Sequence, residues 1–112
     1  MNKYGAQKTV INGIKFDSKH EAERYIYLMY LERIKEITDL QLQRKYVLVG
    51  PQKNEKGKII EKPVIYVADF VYTDENGNTV VEDAKSPATR TPAYVIKRKL
   101  MLSIYGIRIK EV

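Results

Sequence analysis

Asp69, Asp83 and Lys85 all lie in one stretch, VIYVADFVYTDENGNTVVEDAK, residues 64–85. Two carboxylates brought together repel each other, and a divalent cation relieves that repulsion. Such a cation polarises a phosphoryl oxygen and lowers the pKa of a bound water. An amine beside it can hold or deprotonate that water and screen charge in the transition state. These residue types therefore allow metal-assisted hydrolysis of a phosphate ester. They equally allow two aspartates paired with lysines on a solvated sheet face, because a D-x-K tripeptide alone discriminates little. The flanking runs VIYVA and FVY are apolar enough to be buried on both faces. A carboxylate buried there needs a partner or a cation.

Whether the acids meet depends on strand parity. The stretch reads as two strands joined by a turn-rich loop, and side chains along a strand alternate faces. Asp83 and Lys85 share a face with Val81, while Glu82 points the other way. A two- or four-residue loop sets Asp69 opposite Ala84, on the wrong side; a three-residue loop sets it opposite Lys85. A five-residue loop, residues 74–78, sets it opposite Asp83. A metal site requires an odd loop or a bulge.

The surrounding elements follow from local signals. The polar residues 1–8 are expected to be loosely ordered. Asn12-Gly13 between short β-prone runs predicts a hairpin over residues 9–16 with a type I′ turn. Residues 17–36 predict a helix, with Ser18 and Glu21 fitting a capping box. Ala22, Tyr25, Ile26 and Met29 fall on its core face, and Tyr27, Leu28, Leu31 and Ile34 widen it. A face so broad is expected to be buried on more than one side, against a sheet and a second subunit. Residues 40–49 predict a strand, 50–58 a polar loop, and Ile59-Ile60 the start of another strand. Thr91-Pro92 opens a second helix that Gly106 stops, and residues 107–112 form a last strand. The order hairpin, helix, strands, helix, strand defines a mixed α/β fold in one domain, 1–112.

Glu21 has two open roles, helix cap or further metal ligand; Glu23 lies on another side of the helix. Lys97, Arg98 and Lys99 on the second helix form either a solubilising face or a phosphate-gripping one joined by Arg90 and Lys85. Gln43, Arg44 and Lys45 flank the early strand and could reach the same groove. His20 is expected to be exposed without a catalytic role. Most of the nine tyrosines fall at core spacings and read as packing.

Composition narrows the chemistry. Among 112 residues there is no cysteine and one histidine, so disulfides, thiolate zinc sites and multi-histidine sites within one chain are excluded. A metal must be held by oxygen, which suits Mg²⁺, Mn²⁺ or Ca²⁺. The net charge of +6 favours an anionic partner, nucleic acid first. No secretory signal or long apolar run is present, so a cytoplasmic protein is expected.

The set Phe16-Asp17-Ser18-x-x-Glu21, Ala68-Asp69-Phe70 and Val81-Glu82-Asp83-Ala84-Lys85, followed by a basic helix, resembles the PD-(D/E)XK nuclease superfamily. More closely it resembles a family of small phage and prophage proteins compared with Holliday-junction resolvases. The similarity runs from about Lys3 to Val112; the nuclease motif is short, and the framing FDS-x-x-E and VED-x-K segments are more specific. The resemblance implies a restriction-endonuclease-like mixed central sheet flanked by two main helices. It implies a Mg²⁺-dependent DNA endonuclease, with Mn²⁺ substituting, selective for branched DNA in phage recombination, replication or processing. Asp69 would be the first-motif aspartate, Asp83 the middle acid, Lys85 the motif lysine and Glu21 the acid from the first helix. The Ala84 carbonyl would be a further ligand, and Lys97 the assisting residue on the second helix. Arg90, Lys97, Arg98, Lys99, Arg44 and Lys45 would hold DNA, and a homodimer would cut two strands. Ala68 stands where the motif name has proline. The alternatives are a nuclease-fold DNA-binding module without activity and a small protein-interaction domain.

Overall fold

The structure is a computed structural model that describes residues 8–112. The polar segment expected at residues 1–8 lies, but for its last residue, outside the described residues. In chain order the elements are β1 (Thr9–Ile11), β2 (Ile14–Phe16), α1 (Lys19–Arg33), β3 (Thr38–Val49), β4 (Gln52–Lys53) and β5 (Ile59–Glu61). Then follow β6 (Val64–Thr73), β7 (Thr79–Asp83), α2 (Pro92–Tyr105) and β8 (Lys110–Glu111).

Asn12 and Gly13 take φ angles of 52° and 78°, the two positive values that a type I′ turn needs, and β1 pairs with β2 as expected. Ser18 caps α1 by accepting the Glu21 N–H at 3.1 Å. The capping box is only half made: among the described residues no bond runs from the Ser18 N–H to the Glu21 carboxylate. α1 buries Glu21, Ala22, Tyr25 and Leu28. Ile26, expected on the core face, is exposed instead, beside Tyr27, Tyr30 and Ile34. Sheet and hairpin cover one side of the helix only, so the full breadth of its apolar face cannot be buried within the chain.

The central sheet has the order β3-β6-β7-β8. Its first three strands are antiparallel, and β8 lies parallel to β7. α2 makes the crossover that a parallel pair requires. Thr91 caps α2, Pro92 opens it, and Gly106 ends it in the left-handed region at φ 68°. The architecture is mixed α/β, a four-stranded mixed sheet with two helices, as the sequence predicts. Two elements differ. Within the predicted loop 50–58, Gln52–Lys53 form β4, which pairs as a separate two-stranded sheet with β5, the strand expected to start at Ile59-Ile60. Both strands are exposed, so no buried alternation marks them. The last strand is shorter than predicted, covering Lys110–Glu111.

The core has two clusters. Phe16, Ala22, Tyr25, Leu28, Phe70 and Tyr72 form one around α1, with Leu40, Leu42 and Val80 packed against it. Tyr46, Leu48, Tyr66, Ala68, Val71, Val81, Tyr94 and Met101 form the other, around α2. Strict alternation would keep Leu42 and Tyr46 on one face, and likewise Ala68 and Phe70. Here each pair is divided between the clusters, so β3 and β6 change faces at the same level. That level is Gln43 beside Asp69, between the pairs Leu42–Phe70 and Arg44–Ala68. Gln43 has a φ of 54°, a conformation that breaks strand alternation. Asp69 therefore sits at the seam between the two clusters.

Among the described residues no helix is long and apolar enough to cross a membrane.

Candidate functional site

β6 and β7 pair Thr73 with Thr79 and Phe70 with Glu82, leaving residues 74–78 as the connection. This is the loop length that carries the register on to Asp69 opposite Asp83. Asp74 organises it. Its Oδ1 accepts the N–H groups of Asn76 and Asn78, each at 2.9 Å, and Gly77 turns the chain at φ 82°.

The two acids and the amine converge. Asp69 Oδ2 accepts the Ala84 N–H at 2.9 Å, and its Oδ1 accepts the Gln43 side-chain amide at 3.3 Å. Asp83 Oδ1 lies 2.9 Å from Lys85 Nζ, and its Oδ2 accepts the Tyr66 hydroxyl at 2.5 Å. Lys85 Nζ also stands 4.0 Å from the centroid of the Tyr94 ring, a cation–π contact from α2. Asp83 is buried and Lys85 largely so.

Electrostatics bind Glu21 to this group. Burial pushes its carboxyl up to about 7, with Asp69, Asp17 and Asp83 raising it further and Lys85 opposing them. Asp69 is pushed up to about 6, first by burial and then by Asp83, against the Ala84 and Gln43 hydrogen bonds that lower it. The Tyr66 hydroxyl is raised by burial and by Asp83, so it stays a donor. Of the two readings of Glu21, the cap is carried by its main-chain N–H; its carboxylate is left to interact with the aspartates.

The donor set fits a hard divalent cation. All side-chain donors are carboxylate oxygens, and a cation offsets the burial and repulsion that raise Glu21 and Asp69. Among the described residues no three His, Asp or Glu side chains close into a metal cage by themselves. The side-chain ligands available are thus the Asp69–Asp83 pair, with Glu21 acting on them through space.

Glu82 is excluded from the group, as parity predicts. It is fully buried on the α1 side, where Arg24 grips it through Nε at 2.8 Å and Nη2 at 2.7 Å, the Tyr72 hydroxyl donates to it, and Lys110 stands 3.9 Å away. The predicted phosphate-gripping residues are dispersed. Arg90 and Arg98 are both held by Glu111, at 2.7 and 3.1 Å. Lys99 is exposed and Lys97 half-buried on α2. Arg98 and Lys99 line a depression of about 510 Å³ together with Arg108. Arg44 and Lys45 are exposed and line another, of about 620 Å³, with Tyr46 and Tyr105. Glu23 is solvated, 3.9 Å from Lys19. His20 is exposed, and its Nε2 lies 2.8 Å from the Val112 main-chain oxygen.

Four contributors are absent from the sequence reading: Tyr66, the hydrogen bond from Gln43, the Arg24–Glu82 lock and the Glu111 clamp. Tyr66 stands three residues before Asp69, and alternation assigns it to the opposite face. Only the face change at Gln43 brings the two together.

A four-stranded mixed sheet that carries a buried Asp83, a half-buried Asp69 and the amine of Lys85 defines the class in structural terms. Residues 1–110 match the family described as "Protein of unknown function (DUF1064)", and the chain belongs to that family. No curated protein and no solved structure matches it.

Proposed function

We propose that this chain is a metal-dependent DNA endonuclease that hydrolyses phosphodiester bonds, selective for branched or junction DNA and acting in phage recombination, replication or processing in the host cytoplasm. The observation that carries the reading is the approach of Lys85 Nζ to 2.9 Å from Asp83 Oδ1, with Asp69 tied to the residue between them by the Ala84 N–H at 2.9 Å. Asp69, Asp83 and the Ala84 main-chain oxygen would hold Mg²⁺ or Mn²⁺, with the Glu21 carboxylate adding negative charge through space. When bound, the ion supplies Lewis-acid stabilisation of the phosphoryl oxygen.

The residues of the chain do the rest. Asp83 and the Tyr94 ring hold the Lys85 ammonium in place. From there it positions a water and screens charge developing on the phosphate. Burial and the neighbouring aspartates push the Glu21 carboxyl up to about 7, and a cation between the acids would relieve that repulsion. Tyr66 and Gln43 orient one carboxylate each. Arg44, Lys45, Lys97 and Lys99 supply positive charge toward the polyanion, consistent with the net charge of +6.

The test is cleavage of a supercoiled plasmid and a four-way junction with Mg²⁺ or Mn²⁺. Lys85→Ala is expected to reduce cutting at least ~100-fold while retaining DNA binding. Equal cutting by both proteins would sink the reading. One observation favours the alternative of a DNA-binding module without activity: every oxygen of Asp69 and Asp83 already has a hydrogen-bond or ion-pair partner within the chain. Junction binding with no cleavage in either cation would select that alternative.

A further inference from the structure

The exposed stripe of α1 is built to pair with itself. Ile26, Tyr27, Tyr30 and Ile34 are 48, 49, 49 and 43 % exposed, and they lie on the side of the helix away from buried Ala22, Tyr25 and Leu28. Their spacing is that of neighbours on one helix surface. A contiguous apolar patch of this kind marks an interaction surface more often than scattered exposed residues do. The cation nearest the stripe, Arg24, stands 5.0 Å from the Tyr27 ring centroid and is already held by buried Glu82, so a phosphate backbone gains little there.

Charge identifies the occupant. The exposed stripe continues to Glu23 toward the helix start and to Arg33 at its end. Glu23 has only a long, exposed contact with Lys19, at 3.9 Å, and Arg33 makes no ion pair among the described residues. Two copies of α1 crossing antiparallel about residue 28 set Ile26 against the partner's Tyr30 and Glu23 against the partner's Arg33. Two-fold symmetry makes each pair occur twice. A parallel crossing would set Glu23 on Glu23 and Arg33 on Arg33, which repel.

We propose that the α1 stripe is a homodimer interface, a second copy of this chain docking antiparallel through Ile26, Tyr27, Tyr30 and Ile34 with Glu23–Arg33 pairs at both ends. Tyrosine and isoleucine supply the apolar centre, and the charged ends set the direction. One consequence rests on the endonuclease reading, although the dimer itself does not. Glu21 lies near the start of each α1, so the two copies of the site stand about 21 Å apart along the helix axes, at 1.5 Å per residue. That offset would let one dimer act on two strands of a branched substrate.

The test is sedimentation velocity over 1–100 μM with helix content followed by circular dichroism. The wild type is expected to be dimeric at the upper concentrations. Tyr30→Glu, at an exposed position, is expected to weaken the dimer at least 100-fold and keep the fold. Glu23→Arg and Arg33→Glu are each expected to weaken it about tenfold, and the double exchange to restore it to within threefold of wild type. A monomer at every concentration, a dimer indifferent to Tyr30→Glu, or a double exchange no better than the single ones would overturn the proposal. Because mass is read and not cleavage, a dimer without nuclease activity would refute only the endonuclease reading, and a monomeric nuclease only the dimer.

Discussion

The Gln43 side-chain amide donates to Asp69 Oδ1 at 3.3 Å from a residue whose own backbone lies at φ 54°. A non-glycine residue in this region costs about 1 kcal/mol. The same residue marks the level at which β3 and β6 change faces. Without that change, alternation would turn Tyr66 and Ala68 away from the α2 cluster, and the Tyr66 hydroxyl away from Asp83. The local strain at Gln43 and the assembly of the acid pair are therefore one feature.

Backbone and amide can be separated by substitution. Gln43→Gly tolerates the positive φ and loses the amide; Gln43→Ala loses the amide and keeps the strain. Gly is expected to be more stable than Ala by up to ~1 kcal/mol in urea unfolding. Both are expected to lose roughly 10-fold in Mn²⁺ affinity, the usual effect of removing a group that orients a ligand. Mn²⁺ affinity unchanged in both variants would mean that the hydrogen bond does not orient Asp69.

Protonation makes a prediction independent of activity. Glu21 and Asp69 have folded-state carboxyls raised to about 7 and about 6, each by burial first. A raised carboxyl favours the folded state below its unfolded value, near 4, and that contribution is lost as pH climbs through the folded value. Asp17 and Asp83 act in the same direction on Glu21, and Lys85 against them. Without divalent cation, Tm is expected to fall by roughly 5 °C or more between pH 5 and pH 8. Mg²⁺ or Mn²⁺ in the millimolar range is expected to recover most of that loss at pH 8 and little at pH 5, because the ligands must be ionised to bind. Differential scanning fluorimetry at the two pH values measures both effects; a cation effect equal at both would argue against Glu21 and Asp69 as the responding groups.

The sequence patterns reached most of the scaffold because local chemistry determines it. Asn12-Gly13, Ser18, Thr91-Pro92 and Gly106 mark turns and helix ends through their own conformational preferences, and the structure has them in those roles. The odd loop between β6 and β7 was one of several open choices, since parity depends on a tertiary register that Asp74 and Gly77 only help to close. What stayed out of reach is non-local. A left-handed glutamine inside a strand has no compositional signature, and the β4–β5 pairing has no buried face to read. Helical periodicity places Ile26 with the core because it reports the width of an apolar face, not which part of it has a neighbour.

Glu82 neighbours Asp83 in sequence yet has a different task, which stability measurements can isolate. Its fully buried carboxylate is held by both Nε and Nη2 of Arg24, linking α1 to β7. Removing one partner of a buried pair leaves an uncompensated charge. Arg24→Ala is expected to cost about 3 kcal/mol in urea unfolding, whereas Lys19→Ala, which breaks only an exposed contact, costs less than ~0.5 kcal/mol. Arg24→Ala losing no more than Lys19→Ala would show that the buried carboxylate is compensated by Tyr72 and Lys110 alone.

Glu111 restrains two of the cations, Arg90 and Arg98, that are proposed to face DNA. Arg90 approaches its Oε1 through Nε and Nη2 at 3.1 and 2.7 Å, while Arg98 and the Tyr94 hydroxyl reach Oε2 at 3.1 and 2.8 Å. These bonds, that from Arg90 foremost, hold the Glu111 carboxyl down to about 2, so it is ionised throughout the neutral range. A DNA phosphate must therefore compete with an internal carboxylate for both arginines. Glu111→Gln keeps the shape and removes the charge. If these arginines face DNA, the variant is expected to bind more tightly at low salt. The slope of log K against log salt would then steepen by up to about 2, one unit for each cation released to a phosphate. Fluorescence anisotropy with a labelled junction between 50 and 200 mM salt reads this directly. A slope identical to wild type would remove Arg90 and Arg98 from the binding surface and leave Arg44, Lys45, Lys97 and Lys99 to carry it.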